Sequence, residues 1–198
     1  NQDYMYCNTE PVGSFQNLLI VADGMGGHRA GDYASRLCVE TMVQSLEKSA
    51  HKTPVSLFEE AVTAANKAVF EESASHVEYE GMGTTVVACT LEENTLYIAN
   101  IGDSRLYLIR DGIEQITDDH SLVEEMVKQG NITESEARIH PQKNIITRAL
   151  GINEEVQADF FEIDVEQGDV IMLCSDGLSN MIEDEDMVLL TSRNTDLA

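Results

Sequence analysis

The sequence predicts an α+β protein in which antiparallel sheets carry helices on their outer faces. Three observations lead there. Helical and extended segments come in blocks, where a doubly wound parallel sheet would need strict alternation. The extended segments meet at tight-turn signals, Glu92-Glu93-Asn94 and Asp111-Gly112, as hairpins require. A length of 198 residues with 42% hydrophobic content suits one domain with a sizeable core.

The elements follow in order. Residues 17–22 form an apolar run that reads as a buried strand, with Asp23 at its end and a glycine-rich turn, Gly24-Met25-Gly26-Gly27, behind it. A helix is expected from about His28 to Ser49, because Ala34, Leu37, Cys38, Thr41, Met42 and Leu46 recur at helical spacing. A second is expected from Pro54 to Ser73, with Phe58, Ala61, Val62, Ala65 and Val69 on its stripe. Pro54 after Thr53 marks its start.

The period then changes. Thr84–Leu91, Thr95–Asn100 and Arg105–Arg110 read as successive strands. Residues 119–150 are polar and helical, with short helices opening at Ser121 and at Thr133, where Thr-x-x-Glu fits a capping box. Strands resume at Ala158–Ile163 and Asp169–Cys174. An acidic turn is expected at Glu183–Asp186, then a short apolar stretch, Met187–Leu190, and a polar end, Thr191–Ala198.

The charge balance narrows the function. Thirty-six acidic against twelve basic residues give a formal net charge of -24. No basic patch is available for a phosphate backbone or an anionic lipid surface, so neither nucleic acid nor membrane is an expected partner. Most of this charge serves solubility. The four cysteines form no CxxC pair, which argues against a zinc site. Cys38, Cys89 and Cys174 lie in apolar runs and read as core. With no signal segment and no long apolar stretch, a reducing cytoplasmic setting is the expectation.

The chemistry lies in the aspartates. Asp23, Asp103 and Asp176 each stand beside a glycine at the end of an apolar strand. Carboxylates delivered on rigid strands suit hard divalent cations, which take oxygen ligands. EF-hand spacing is absent.

Seven segments stand in one order: Asn1-Gln2-Asp3, Asp23-Gly24-Met25-Gly26-Gly27-His28, Gly81-Met82-Gly83-Thr84-Thr85, Gly102-Asp103-Ser104-Arg105, Asp119-His120-Ser121, His140-Pro141-Gln142-Lys143-Asn144 and Ser175-Asp176-Gly177-Leu178. Each is common alone. In this order and spacing, across the whole chain, they resemble the metal-dependent protein phosphatases, the type 2C serine/threonine family in its bacterial form.

The resemblance implies a sandwich of two antiparallel β-sheets flanked by α-helices, α-β-β-α, with a helical flap at about 119–150 inside a single catalytic domain, 1–198. It implies hydrolysis of phosphoserine and phosphothreonine in proteins by metal-activated water, on substrates of a Ser/Thr kinase. The implied cofactors are two Mn²⁺ or Mg²⁺ ions, and a third. Asp23 matches the bridging ligand, the Gly24 carbonyl a ligand of one ion, Asp176 a ligand of the first ion, Asp3 the acidic residue at the second, and Asp103 the ligand of the third. Asp23 and Asp176 are thereby the catalytic residues. The chemistry is consistent: a di-metal centre activates water and neutralises phosphoryl charge, so no serine or cysteine nucleophile is required.

Other readings stand beside these. Asp103 also fits a turn residue bonded to Ser104 or Arg105. His120 and His140 fit proton donors to a leaving alkoxide, or simply flap packing and capping. Asp118 and the Glu183–Asp186 run read as solvated charge, and Gly81–Thr85 as a packed strand entrance. Gln2 stands where many family members carry Glu. The family also places a phosphate-binding Arg before the Asn-x-Asp motif and a Gly-x-Asp-Asn motif near its end. Neither is present here, so the sequence reads as cut from a longer protein, impaired as an enzyme and with exposed sheet edges. A catalytically silent, metal-responsive binding module of the same fold is the alternative function.

Overall fold

The computed structural model describes residues 2–27 and 29–193. The chain begins β1 (Asp3–Asn8), β2 (Leu18–Met25), α1 (Ala30–Lys48), α2 (Pro54–Ser75), β3 (Gly83–Thr84), β4 (Val86–Glu92) and β5 (Thr95–Ile101). It continues β6 (Arg105–Ile109), β7 (Ile113–Gln115), α3 (Leu122–Lys128), α4 (Glu134–Arg138), β8 (Asp159–Asp164), β9 (Val170–Cys174), α5 (Asp176–Ser179) and α6 (Asp184–Arg193).

Alternation sets the layers. Along β2, Leu18, Ile20, Ala22 and Gly24 are buried on one face, while Leu19, Val21, Asp23 and Met25 are half-buried on the other. The first face packs under α1 and α2, where Ala34, Cys38, Met42 and Leu46 meet Phe58, Ala61, Val62 and Val69 in the largest core cluster. The second face meets the other sheet, through Val87, Cys89, Leu96, Ile98 and Leu106. A third cluster, Tyr107, Cys174 and Met187, packs with Leu178 and Ile182 on the outer side of the second sheet. The layers are therefore helix, sheet, sheet, helix, as expected.

Every strand pairing is antiparallel. The first sheet runs β1-β2-β4-β5-β8, with β3 also on β2, and the second runs β7-β6-β9. Among the described residues, β1, β8, β7 and β9 are the edges. The Glu93 and Asp111 turns carry positive φ, 54° and 52°, as tight hairpins demand. No described helix is long and apolar enough to cross a membrane.

Three expectations need correction. β2 does not stop at Ala22: it runs to Met25, because Gly24 and Met25 pair with Thr84 and Gly83. Asp23 thus sits inside a strand. The strand expected at 84–91 is two strands in one register, interrupted at Thr85, whose hydroxyl in place of its carbonyl accepts the Asp23 N–H at 3.0 Å. The acidic run at 183–186 opens α6: Asp184, Glu185 and Asp186 fill its first turn, where the positive end of the helix dipole favours carboxylates. His28, where the first helix was expected to start, and residues 194–198 of the polar end lie outside the described residues.

Residues 119–150, the segment expected to be a flap, carry the two short helices read from the sequence. Ser121 caps α3 through Glu124 N–H, and Thr133 with Glu136 forms a reciprocal capping box on α4. Its two roots are tied to the sheets. His120 exchanges hydrogen bonds with Gly102, and Leu150 exchanges two backbone bonds with Thr84. Asn66 of α2 holds the segment after the flap by bonding Gly151 N–H and the carbonyls of Asn153 and Glu154.

Candidate metal centre and active site

Four segments bring carboxylates to one end of the sandwich. Asp3 opens β1 and faces Asp23 across the β1–β2 ladder. Asp103 follows the end of β5, and Asp176 starts α5 just past β9. Ser175 Oγ donates to Asp3 Oδ2 at 3.2 Å, which ties the end of β9 to β1. Asn180 Nδ2 donates to Asp176 Oδ2 at 3.1 Å.

The backbone here leaves no slack. A Cβ on Gly24 would lie 1.8 Å from the Gly31 carbonyl oxygen, so the first turn of α1 packs directly on the strand that carries Asp23. Thr84 Oγ1 donates to the Asp23 carbonyl, and Thr85 Oγ1 pairs with Ser104 Oγ at 2.7 Å, linking the Asp23 strand to the Asp103 turn. Gly102 has φ +103°, a conformation side chains disfavour.

The electrostatics are those of crowded anions. Burial, then the charge of Asp3 and a hydrogen bond shared with it, then Asp176 and Asp103, push the Asp23 carboxyl up to about 8. Asp103 is buried and pushed up to about 6 by its burial, by Asp176 and by Asp119. None of the main influences on Asp23 is cationic. A hydrogen bond from its own backbone and the charge of Arg105 act on Asp103 in the opposite direction, as the turn reading expects. The cluster of acids is costly until a cation neutralises it.

The donors are all hard oxygen atoms, which suits Mg²⁺ or Mn²⁺. Among the described residues, no group of three or more His, Cys, Asp or Glu closes into a finished cation cage. In donor chemistry the site residues fit divalent cations.

Beside Asp103 and Asp176 opens a cleft of 580 Å³ between the flap helices and the α5–α6 region, with Glu134, Arg138, Lys143 and Glu183 on its walls. Arg138 Nη2 and Glu183 Oε2 pair across it at 2.8 Å. Lys128 pairs with Asp118 at 2.8 Å on the exposed side, so Asp118 is a solvated flap charge as expected.

Several residues escaped the sequence reading. Arg105 grips Asp119 with a two-pronged fork, Nε to Oδ1 at 2.9 Å and Nη2 to Oδ2 at 2.8 Å, joining the strand after Asp103 to the flap root. The one available signal was an Arg directly after Gly-Asp-Ser. Arg148 and Asp159 pair at 2.7 Å behind His120, and nothing in their spacing announces it. His120 is buried against Gly102 and Asp159, and His140 Nδ1 accepts the Gln142 N–H in a local turn. Both follow the packing-and-capping reading. Of Gly81–Thr85, residues 82–85 are buried as a packed strand entrance, and Gly81 is exposed.

Comparison with known proteins agrees with this geometry. The family model for protein phosphatase 2C matches residues 1–195. The serine/threonine phosphatase stp of Listeria monocytogenes is 39% identical over 199 residues, covering 95% of this chain and 79% of that protein. The crystal structure of serine/threonine phosphatase Stp1 from Staphylococcus aureus superposes with a TM-score of 0.90 at 33% identity, covering 100% of this chain and 78% of that one. The catalytic domain of the serine/threonine protein phosphatase PstP, solved in complex with two manganese ions, superposes with a TM-score of 0.83 at 35% identity, over 97% and 78%. A sandwich with its carboxylates gathered at one end, matched along nearly its whole length in sequence and fold, belongs to the protein phosphatase 2C family of metal-dependent serine/threonine protein phosphatases.

Proposed function

We propose that this chain removes phosphate from phosphoserine and phosphothreonine in proteins at a di-metal centre held by Asp3, Asp23, the Gly24 carbonyl and Asp176, with Asp103 and Asp176 serving a third ion. The observation that supports this most is the meeting of four carboxylates from separate segments, with Asp23 pushed up to about 8 by burial and by its acidic neighbours. The ions are Mn²⁺ or Mg²⁺. When bound, they supply charge for the phosphoryl oxygens and activate the attacking water.

The protein's own residues do the rest. Asp23, pushed up to about 8 by its burial and by the neighbouring Asp3, must lose its proton before it can act as a ligand. The Thr84 and Thr85 hydroxyls fix the Asp23 backbone and so aim its side chain. The cleft beside Asp103 and Asp176 accepts the polypeptide around the phosphoresidue. Residues 1–198 act as one catalytic domain, with 119–150 as its flap. The substrates are phosphoproteins made by a Ser/Thr kinase. A cytoplasmic location is supported by four cysteines that are all free thiols.

The test is turnover of a phosphothreonine peptide. Chelation should stop it, added Mn²⁺ should restore it, and Asp23→Asn should remain inactive at any Mn²⁺ concentration. Hydrolysis that survives exhaustive chelation would falsify the metal-centre reading.

A further inference from the structure

His120 occupies an unusual place. It lies at the N-terminal root of the flap and is 7% exposed. Its main-chain N–H donates to the Gly102 carbonyl at 2.9 Å, and its ring Nδ1 accepts the Gly102 N–H at 2.9 Å. Gly102 is thus held through both its N–H and its C=O by one residue. On the far side of the ring, Nε2 lies 2.9 Å from Asp159 Oδ2, and Asp159 Oδ1 accepts from Arg148 Nη1 at 2.7 Å. The His120 carbonyl accepts the Thr147 N–H at 2.8 Å, so the other limb of the flap joins the same knot.

These contacts dictate the tautomer. A backbone N–H can only donate, so Nδ1 carries the lone pair and Nε2 carries the proton that Asp159 accepts. Arg148 Nη1 also lies 3.0 Å from Nε2. Both are donors, so Arg148 serves the Asp159 carboxylate and not the ring. Asp159 and Arg148 therefore act on the ring as an oriented carboxylate acts on a metal-binding histidine, by fixing which nitrogen faces the working side. Here the working side is the N–H of Gly102, the residue before Asp103.

Gly102 needs such a clamp. It sits at φ +103°, where a Cβ would lie 2.6 Å from the Thr85 side chain, and glycine is the residue with the most freedom to leave any one conformation. Left alone, the Gly102–Asp103 turn would be the loosest support among the four carboxylates. Asp3 and Asp23 stand on a ladder, and Asp176 opens a helix.

We propose that His120 is a positioning residue for Asp103: it holds the Gly102 peptide through Nδ1 and thereby sets the Asp103 carboxylate, and it passes the state of the flap to that carboxylate through Thr147, Arg148 and Asp159. The metal-binding part of this rests on Asp103 serving as a cation ligand. The clamp itself does not.

Two substitutions separate the two ring nitrogens. The Oδ1 of Asn can stand where Nδ1 stands, whereas the Nε2 of Gln can stand where the ring Nε2 stands. In the metal-free chain, amide exchange at Gly102 should accelerate about tenfold or more in His120→Gln, as loss of one buried hydrogen bond implies. In His120→Asn it should stay within about threefold of wild type. With Mn²⁺, calorimetry should show the Asp103-dependent ion weakened about tenfold in His120→Gln and little changed in His120→Asn, with Asp103→Ala as the reference for its loss. Nitrogen NMR of the wild-type imidazole gives a readout that needs no variant: Nδ1 should show an unprotonated, hydrogen-bond-accepting shift. If Asp103→Ala leaves Mn²⁺ binding unchanged, the ligand reading fails, and Gly102 protection still decides the clamp. Equal behaviour of the Asn and Gln variants, or a proton on Nδ1, overturns the proposal and leaves His120 as core packing.

Discussion

Asp3 and Asp23 stand directly opposite each other on neighbouring strands and share a hydrogen bond. Two carboxylates in that relation repel unless a proton or a cation lies between them. With Asp23 pushed up to about 8, the metal-free fold must take up a proton near neutral pH that the unfolded chain does not hold, and this makes the pair destabilising. Asp23→Asn should raise its thermal midpoint in chelator, by the roughly 1 kcal/mol that a like-charge cross-strand pair costs, or about 2–4 °C for a chain of this size. Added Mn²⁺ should then stabilise the wild type and leave the variant nearly unmoved. A variant that melts below wild type in chelator would show that the pair is not repulsive.

Gly24 offers a sharper test of the packing beneath the site. Its Cβ position is filled by the Gly31 carbonyl at 1.8 Å, which is backbone and cannot rotate away. Gly24→Ala should cost about 3 kcal/mol, the upper end of overpacking, because β2 and α1 must separate. The urea midpoint should fall while the slope stays constant. A change below about 1 kcal/mol would mean that the helix start yields freely.

Much of this was legible from local pattern. Helical spacing placed α1 and α2, Pro54 marked a start, and Thr133-x-x-Glu136 marked a cap that the structure completes. Asp111-Gly112 placed a hairpin. What escaped was set by partners distant in sequence. β2 runs past Asp23 only because residues 83 and 84 pair with it. Glu183–Asp186 resembles a turn until a helix dipole is there to receive it. The Arg105–Asp119 fork and the His120–Gly102 clamp bridge strand ends to the flap and have no period to betray them. The aspartates themselves stood out as residues beside glycines. Their crowding at one point needed the fold.

Acid should weaken the fold through Asp169. Its carboxylate accepts a fork from Arg110, with Nε to Oδ1 at 2.8 Å, and also the Glu166 N–H at 2.7 Å. The Arg110 hydrogen bonds, then the Glu166 N–H, hold it down at about 2. A depressed carboxyl lends stability above its unfolded value, near 3.9, and that stability is lost as pH falls through the folded value. Asp169→Asn should therefore be less stable than wild type at pH 7, with the gap closing between about pH 4 and pH 2. A gap that is constant across this window would assign the loss to geometry and not to charge.

The cleft gives the last prediction. Arg138 on the flap and Glu183 at the start of the opposite wall meet at 2.8 Å, and both are substantially exposed. An exposed pair of this kind contributes at most about 1 kcal/mol, so breaking it should leave the thermal midpoint within about 3 °C. Its position matters more than its strength. It lies in the cleft beside Asp103 and Asp176, which under the proposed function a polypeptide must enter with its phosphoresidue, whereas a small aryl phosphate needs far less room. Arg138→Ala and Glu183→Ala should each raise kcat/KM on a phosphoprotein by up to about fivefold, the factor that 1 kcal/mol allows, through a lower KM. Both should leave aryl phosphate turnover unchanged. The double variant should match the singles, since each already opens the pair. Raising the salt concentration should move the wild type toward the variants and leave the variants where they are, because screening weakens an exposed ion pair. Equal changes on the protein and the aryl substrate would place the effect at the metal centre and refute a gating role for this pair.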